Sequence, residues 1–248
     1  MKNLILSTLF LCSLHLVFAQ TDSTADAKSS TRLTRQIDKA DYPFWLYLPE
    51  DSILNDNPPI LIFLHGRSLS GTNLDLVRKY GVIKEIEKGR RIPAIVIAPQ
   101  TPAGKNWDPT KILTTLRYVQ SQYQTDTNRV YVAGMSMGGY GTLNFTGAYP
   151  DVVTAAVALC GGGNPNDGCD LASVPLWIQH GNADRAVPIS ESEKIVRAIN
   201  ACNGGKNLKY TIHPGADHGA LERVFRTDEM YDWLFQFNKT VESLTEEN

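Results

Sequence analysis

Cysteine is scarce in this chain: four residues in 248, at positions 12, 160, 169 and 202. None are spaced as CxxC, and no histidine pair has HxxxH spacing. The common signatures of a zinc site or a dithiol redox centre are therefore missing, and no metal or cofactor is expected. Basic residues are not in excess, with 24 Lys and Arg against 26 Asp and Glu. Such a balance lacks the positive surface that neutralises phosphates, so no nucleic-acid partner is expected. Internal repeats and heptad runs are absent, which argues against a solenoid or a coiled coil. Strongly apolar runs are short throughout, with one exception at the start.

That exception is "LILSTLFLCSLHLVF", Leu4 to Phe18, preceded by Lys2 and followed by "AQ". A positive residue, an apolar stretch and small residues at Val17 and Ala19 read as a secretory signal peptide over 1–19, cut after Ala19. The stretch is short for a membrane span and a polar tail follows it. Residues 20–32, including "TDSTADAKSS", are expected to be a disordered spacer. A single domain is expected over 33–240, in a secreted or periplasmic protein. Three cysteines then remain, an odd number. Cys169 and Cys202 are the expected disulfide, because one falls on a loop and the other ends a helix. Cys160 closes a buried strand and suits a free thiol.

From Leu33 onward, short apolar runs alternate with longer amphipathic ones. "PFWLYLP" reads as a strand with mixed faces. "PILIFLHG", "IPAIVIAPQ", "NRVYVAG", "VVTAAVALCGG", "VPLWIQHG" and "LKYTIHPG" read as strands buried on both faces, as a parallel sheet requires. Helical periodicity occupies Leu74–Gly89, Pro109–Tyr123, Ser190–Cys202 and Asp228–Phe237. Pro109 suits a first turn, and Ser190 with Glu193 has the pattern of a capping box. This alternation predicts an α/β fold, a mostly parallel central sheet with helices on both faces.

In such sheets ligands bind beyond the carboxyl ends of the strands. Ser136 stands there, in "Gly134-Met135-Ser136-Met137-Gly138", between a strand and a helix-like run. The flanking glycines leave room for a sharp turn that projects the hydroxyl. A serine needs a base. His15 lies in the leader, His65 and His180 precede glycines at strand ends, and His213 falls within a strand. These read as structural, so His218, on the loop after the last strand, is the candidate base. The acid that would orient it is Asp184, after the strand ending in "QHG". Asp167 and Asp170 are alternatives, and Asp217 is disfavoured because adjacent side chains rarely face one another. The backbone N–H groups of Met137 and of Arg67, with Ser68 as neighbour, are candidate oxyanion donors. Trp107, after "IAPQ", is expected at the mouth, either to stack on substrate or to pack the loop.

Together "FLHG", "IAPQ…NWDP", "VAGMSMGGYGTL", "ALCGGG", "PLWIQHGNAD…VP" and "YTIHPGADHG" resemble the α/β-hydrolase superfamily over Leu33 to Phe237. The similarity is to secreted bacterial feruloyl and acetyl xylan esterases of carbohydrate esterase family 1. Polyhydroxybutyrate-depolymerase and phospholipase/carboxylesterase types, and prolyl oligopeptidase catalytic domains, share the core. One departure is Gly219-Ala220-Leu221 after His218, where many relatives carry tryptophan. The resemblance implies a cofactor-free serine esterase acting through Ser136, His218 and Asp184 on acetyl or feruloyl esters of plant polysaccharides. A peptidase, a short-chain carboxylesterase or phospholipase, and a non-catalytic carbohydrate-binding protein are the alternatives. Only Gly161 to Ser173 separates two successive strands where large caps are usually inserted, so no cap domain is expected.

Overall fold

Among the described residues, eight short strands, most of them apolar, pair into one sheet. The computed structural model describes residues 32–202 and 205–239. The signal-peptide reading and nearly all of the spacer lie outside them. The strands are β1 (Leu33–Gln36), β2 (Phe44–Tyr47), β3 (Ile60–Leu64), β4 (Ile95–Pro99), β5 (Val130–Met135), β6 (Ala155–Leu159), β7 (Leu176–Gly181) and β8 (Leu208–His213). Their order is β1-β2-β4-β3-β5-β6-β7-β8. The β1–β2 and β2–β4 pairs are antiparallel, and every other pair is parallel.

The helices are α1 (Asp51–Leu54), α2 (Val82–Glu87), α3 (Pro109–Gln122), α4 (Met137–Ala148), α5 (Gly168–Ala172), α6 (Ser190–Ala201) and α7 (Asp228–Phe235). Alternate strand residues serve the two faces. Leu61 and Phe63 of β3 join Val82, Ile83 and Ile86 of α2 and Met230 and Leu234 of α7. Ile60, Ile62 and Leu64 join Ile112, Leu116 and Val119 of α3, Phe145 of α4 and Ile195 and Ile199 of α6. Each such side chain, fully buried, contributes about 1.5–3 kcal/mol. This is the α/β-hydrolase arrangement, and no cap domain stands over the sheet among the described residues. The span between β6 and β7 holds only a 3₁₀ turn, Pro165–Asp167, and the five-residue α5.

The sequence reading differs from the structure at several boundaries. Strand β1 carries no signal in the sequence, because "LTRQ" is mostly exposed and pairs only at the sheet edge. Strand β2 is buried throughout rather than mixed, since it lies between β1 and β4. The helix expected over Leu74–Gly89 is broken into a 3₁₀ turn (Leu74–Lys79) and α2. Gly81 causes the break. It has φ +77°, and a Cβ there would lie 2.1 Å from the Phe63 ring, so the chain must kink where it crosses β3. The Ser190–Glu193 capping box does not form. Ile189 is already helical and no side chain caps α6, so Ser190 sits one residue too far in. Helix α7 ends at Phe235 rather than Phe237. Asp108, by contrast, caps α3 directly before Pro109, accepting from the N–H of Thr110 at 2.9 Å.

Cys169 and Cys202 are joined, with Cα atoms 5.1 Å apart, tying α5 to the end of α6. Cys160 is a buried free thiol. The bridge closes a loop of sequence separation 33, a length for which chain entropy supplies roughly 3–4 kcal/mol. A Cys169→Ser/Cys202→Ser variant is therefore expected to have a lower urea midpoint, with a somewhat steeper slope because its unfolded chain is less compact. An identical midpoint would show that the bridge adds nothing.

Candidate active site

The candidate nucleophile, Ser136, stands on a sharp turn between β5 and α4. Ser136 has φ 60° and ψ −123°, a region that costs a non-glycine residue about 1–3 kcal/mol. Its neighbours hold it there. The Ser136 N–H donates to the Leu159 carbonyl at 2.8 Å, and its own carbonyl accepts from Tyr140 N–H at 3.0 Å. The flanking glycines are required by close approach. A Cβ on Gly134 would lie 2.3 Å from the Gly138 carbonyl oxygen, and one on Gly138 would lie 1.9 Å from that of Leu64.

His218 and Asp184 meet although 34 residues separate them: His218 Nδ1 lies 2.6 Å from Asp184 Oδ2. The β7–β8 pairing brings the two loops side by side at the carboxyl edge. The Asp184 side chain is completely buried, whereas that of His218 is 26% exposed. The acid is thus sealed while the imidazole remains reachable. Burial by itself would push the Asp184 carboxyl up. The N–H groups of Val187 and Ala186, at 2.9 and 2.8 Å, and the bond to His218 outweigh it, so Asp184 lies below the usual carboxylate value. Among the described residues, the side-chain hydrogen bond of His218 is the one to Asp184. Its Nε2 is left for the Ser136 hydroxyl, a contact that commonly tightens only when substrate binds.

The other acids are placed elsewhere. Asp217 accepts from Ala220 N–H at 2.9 Å and so caps the 3₁₀ turn Gly219–Arg226. Asp167 takes the Asn164 amide at 2.9 Å. Cys160 Sγ, Asp184 and His218 present ligand atoms within 4.8 Å of one another. Asp184 is already held by His218, and burial, reinforced by the Asp184 charge, pushes the Cys160 thiol far up. The trio is therefore a bonded acid–imidazole pair beside a neutral thiol, not a ready cation cage.

The loop after β3 runs alongside the serine turn because β3 and β5 are paired neighbours. Its amides divide cleanly. Gly66 N–H donates to the Tyr80 hydroxyl at 2.8 Å, while Leu69 and Ser70 donate to Gly66 and Arg67 carbonyls at 3.1 Å each. The amides of Arg67 and Ser68 are not used by these bonds, and neither residue is favoured over the other on this ground. The Arg67 guanidinium donates to the side-chain Oδ1 of Asn106 at 3.2 Å. His65 is buried beneath the loop, its Nδ1 2.7 Å from the Gly66 carbonyl and its Nε2 3.3 Å from Thr101 N–H. Burial drives its pKa down to about 4 despite the Gly66 bond, so the ring is a neutral strut.

Two clefts open on either side of Ser136. One, of about 520 Å³, is lined by Arg67, Asn106, Trp107, Tyr140 and Asn144 among others. The other, of about 440 Å³, is bounded by Gly66, Tyr80, Met135, His218, Gly219 and Glu222. Trp107 borders the first, but it is only 5% exposed. Its Nε1 donates to the His65 carbonyl at 3.0 Å, and its ring packs edge-on against His65 and Tyr42. The packing role is therefore filled, and little of the ring faces the cleft. Tyr80, which the sequence reading does not single out, stands just before the break at Gly81 and borders the second cleft. Nothing in "RKYGV" marks it.

A serine on a strained strand-to-helix turn and a buried carboxylate bonded to a loop histidine, both at the carboxyl edge of this sheet, fit the α/β-hydrolase fold. The model of the dienelactone hydrolase family matches residues 90–233, more than half of the chain, and the chain belongs to that family. It is 27% identical over 232 residues to acetylxylan esterase A of Emericella nidulans, covering 84% of this chain and 73% of that protein. It is 26% identical over 139 residues to feruloyl esterase B of Thermothelomyces thermophilus, covering 47% of this chain but 43% of that protein's length. A crystallographic thermostable esterase superposes with a TM-score of 0.71 at 25% identity, over 84% of this chain and 64% of that one.

Proposed function

We propose that this protein is a secreted serine esterase that hydrolyses acetyl or feruloyl esters on plant polysaccharides. The observation that carries the reading is the 2.6 Å bond between His218 and the buried Asp184, on a cleft shared by His218 and the strained Ser136. Ser136 Oγ attacks the ester carbonyl and its proton passes to His218 Nε2. The imidazolium is stabilised by Asp184. The N–H of Met137 and that of Arg67, or its neighbour Ser68, receive the negative oxygen, each worth roughly 3 kcal/mol of barrier. The proton then goes to the departing alcohol. Water, deprotonated by His218, splits the acyl-enzyme and releases the acid.

The choice of substrate is supported by the uncapped cleft, by its polar lining of Arg67, Asn106, Tyr140 and Asn144, and by the esterase relatives. Secretion is supported by the leader-like residues 1–19 and by the Cys169–Cys202 bridge, which suits an oxidising compartment. A fluorophosphonate probe should label Ser136. Rates on p-nitrophenyl acetate, methyl ferulate and a proline-linked amide then separate the classes. An open site predicts good turnover of short acyl and aryl esters, a decline with long fatty chains, and no rate jump at the substrate's solubility limit. Rising rates with chain length and interfacial activation would indicate a lipase, and preferential amide cleavage a peptidase.

A further inference from the structure

Behind the acid, on β7, stands a second histidine. His180 is completely buried. The loop that follows β7 folds back over its ring, so that Asp184 lies between two imidazoles. Asp184 Oδ2 is 2.6 Å from His218 Nδ1 and 3.4 Å from His180 Nε2. Asp184 Oδ1 is occupied by the N–H groups of Ala186 and Val187.

The His180 ring is bonded at both nitrogens. Nε2 lies 2.9 Å from the Val187 carbonyl, which can only accept, so Nε2 carries a hydrogen and donates. Nδ1, an acceptor in the neutral ring, lies 2.7 Å from the Ser192 hydroxyl in the first turn of α6; that hydroxyl is also 2.7 Å from the Gly161 carbonyl, and its single hydrogen serves one of these two acceptors at a time. Gly161 in turn is pressed onto the helix behind the nucleophile, where a Cβ would meet the Gly139 carbonyl carbon at 2.6 Å. A continuous chain therefore runs from the acid loop through His180 and Ser192 to the backbone packed against α4.

This geometry has a consequence for the acid. The two amides that fix Oδ1 belong to the loop 184–187, and Val187 is the residue whose carbonyl His180 clamps. The ring holds the loop that holds the carboxylate, and it closes the inner side of Oδ2 against water. Carboxylate direction decides which way the His218 ring faces, and a displacement of about 1 Å in such a contact can cost on the order of 10²-fold in rate.

We propose that His180 is a positioning residue of the hydrolytic site. Through Val187 and Ser192 it sets Asp184, and through Asp184 it sets His218, relative to the serine helix. The inference rests on the esterase reading for its kinetic part and stands independently of it for its structural part.

The test uses the full-length protein and three variants. His180→Leu removes both ring contacts, His180→Gln retains an amide donor and a carbonyl acceptor, and Ser192→Ala removes the partner of Nδ1, and with it the link to Gly161, while leaving the Nε2–Val187 bond. At metal sites, residues that orient the ligands govern about 10–100-fold of activity, and a loss of that order is expected for a residue that orients the acid. His180→Leu is expected to lose kcat in that range with KM changed less than about twofold, because the acid acts on the chemistry and not on binding. His180→Gln should recover most of the loss, and Ser192→Ala should lose several-fold. In proton NMR, the low-field resonance of the His218–Asp184 bond should shift or broaden in His180→Leu and return in His180→Gln. Thermal unfolding identifies a variant that has lost its fold. If His180→Leu does not fold, Ser192→Ala and His180→Gln carry the comparison.

Wild-type kcat and an unmoved resonance in a folded variant would overturn the proposal, as would a loss confined to KM. Wild-type protein that neither reacts with the fluorophosphonate nor turns over any ester would instead sink the esterase reading. The NMR comparison would still decide the role of His180.

Discussion

Ser136→Ala is expected to lower ester hydrolysis by roughly 10⁴-fold or more while leaving the fold intact. The change deletes one oxygen. The backbone bonds that hold the turn, from Ser136 N–H to Leu159 and from Tyr140 N–H to Ser136, do not involve the side chain. Residual turnover, from donors and binding alone, should be insensitive to the fluorophosphonate. The comparison is steady-state rate on p-nitrophenyl acetate together with thermal unfolding of both proteins. Turnover equal to wild type in the purified variant would remove Ser136 from the mechanism.

Asp184→Asn is expected to be nearly as damaging, roughly 10⁴-fold, whereas Asp217→Asn should stay close to wild type. An asparagine at 184 fits the same space but carries two N–H donors. If its oxygen faces the amides of Ala186 and Val187, its NH₂ faces His218 Nδ1 and imposes the wrong tautomer. Asp217 is bonded to the backbone of Ala220, so its substitution disturbs only a turn. A consequence for stability follows from the lowered folded pKa of Asp184. A carboxyl depressed by folding contributes stability that is complete above its unfolded pKa and is lost as pH falls through its folded value. Asp184→Asn should abolish that part of the acid dependence. Equal kinetic losses for the two asparagine variants, or the reverse order, would reassign the acid.

Much of this is legible without coordinates, for local reasons. Continuous apolar runs announce buried strands because both of their faces must be covered. The glycines around Ser136 announce a sharp turn because no larger residue fits there: a Cβ on Gly134 or Gly138 would lie far inside contact distance of the Gly138 or Leu64 carbonyl. Sequence order after strands places Ser136, Asp184 and His218 at one edge, and Cys169 does pair with Cys202, although Cys169 lies in the short helix α5 and not on the loop expected.

Other features depend on what lies across the fold. The break at Gly81 lies against the Phe63 ring, 18 positions away, and Tyr80 just before it meets Gly66, 14 positions away. Trp107 reads equally well as a ligand platform or as packing, and its partners, Tyr42 and His65, are distant in the chain. The capping pattern at Ser190 is sound locally and is overridden because the helix begins at the preceding residue. His180 looks like one more strand-end histidine until the loop 184–187 closes over it. Periodicity and turn chemistry are properties of neighbours in the chain, so the sequence by itself determined the class of fold, the serine turn and the order of the reacting groups. Hydrogen bonds between a side chain and a remote backbone depend on how loops settle onto one another, and these only the tertiary structure decided.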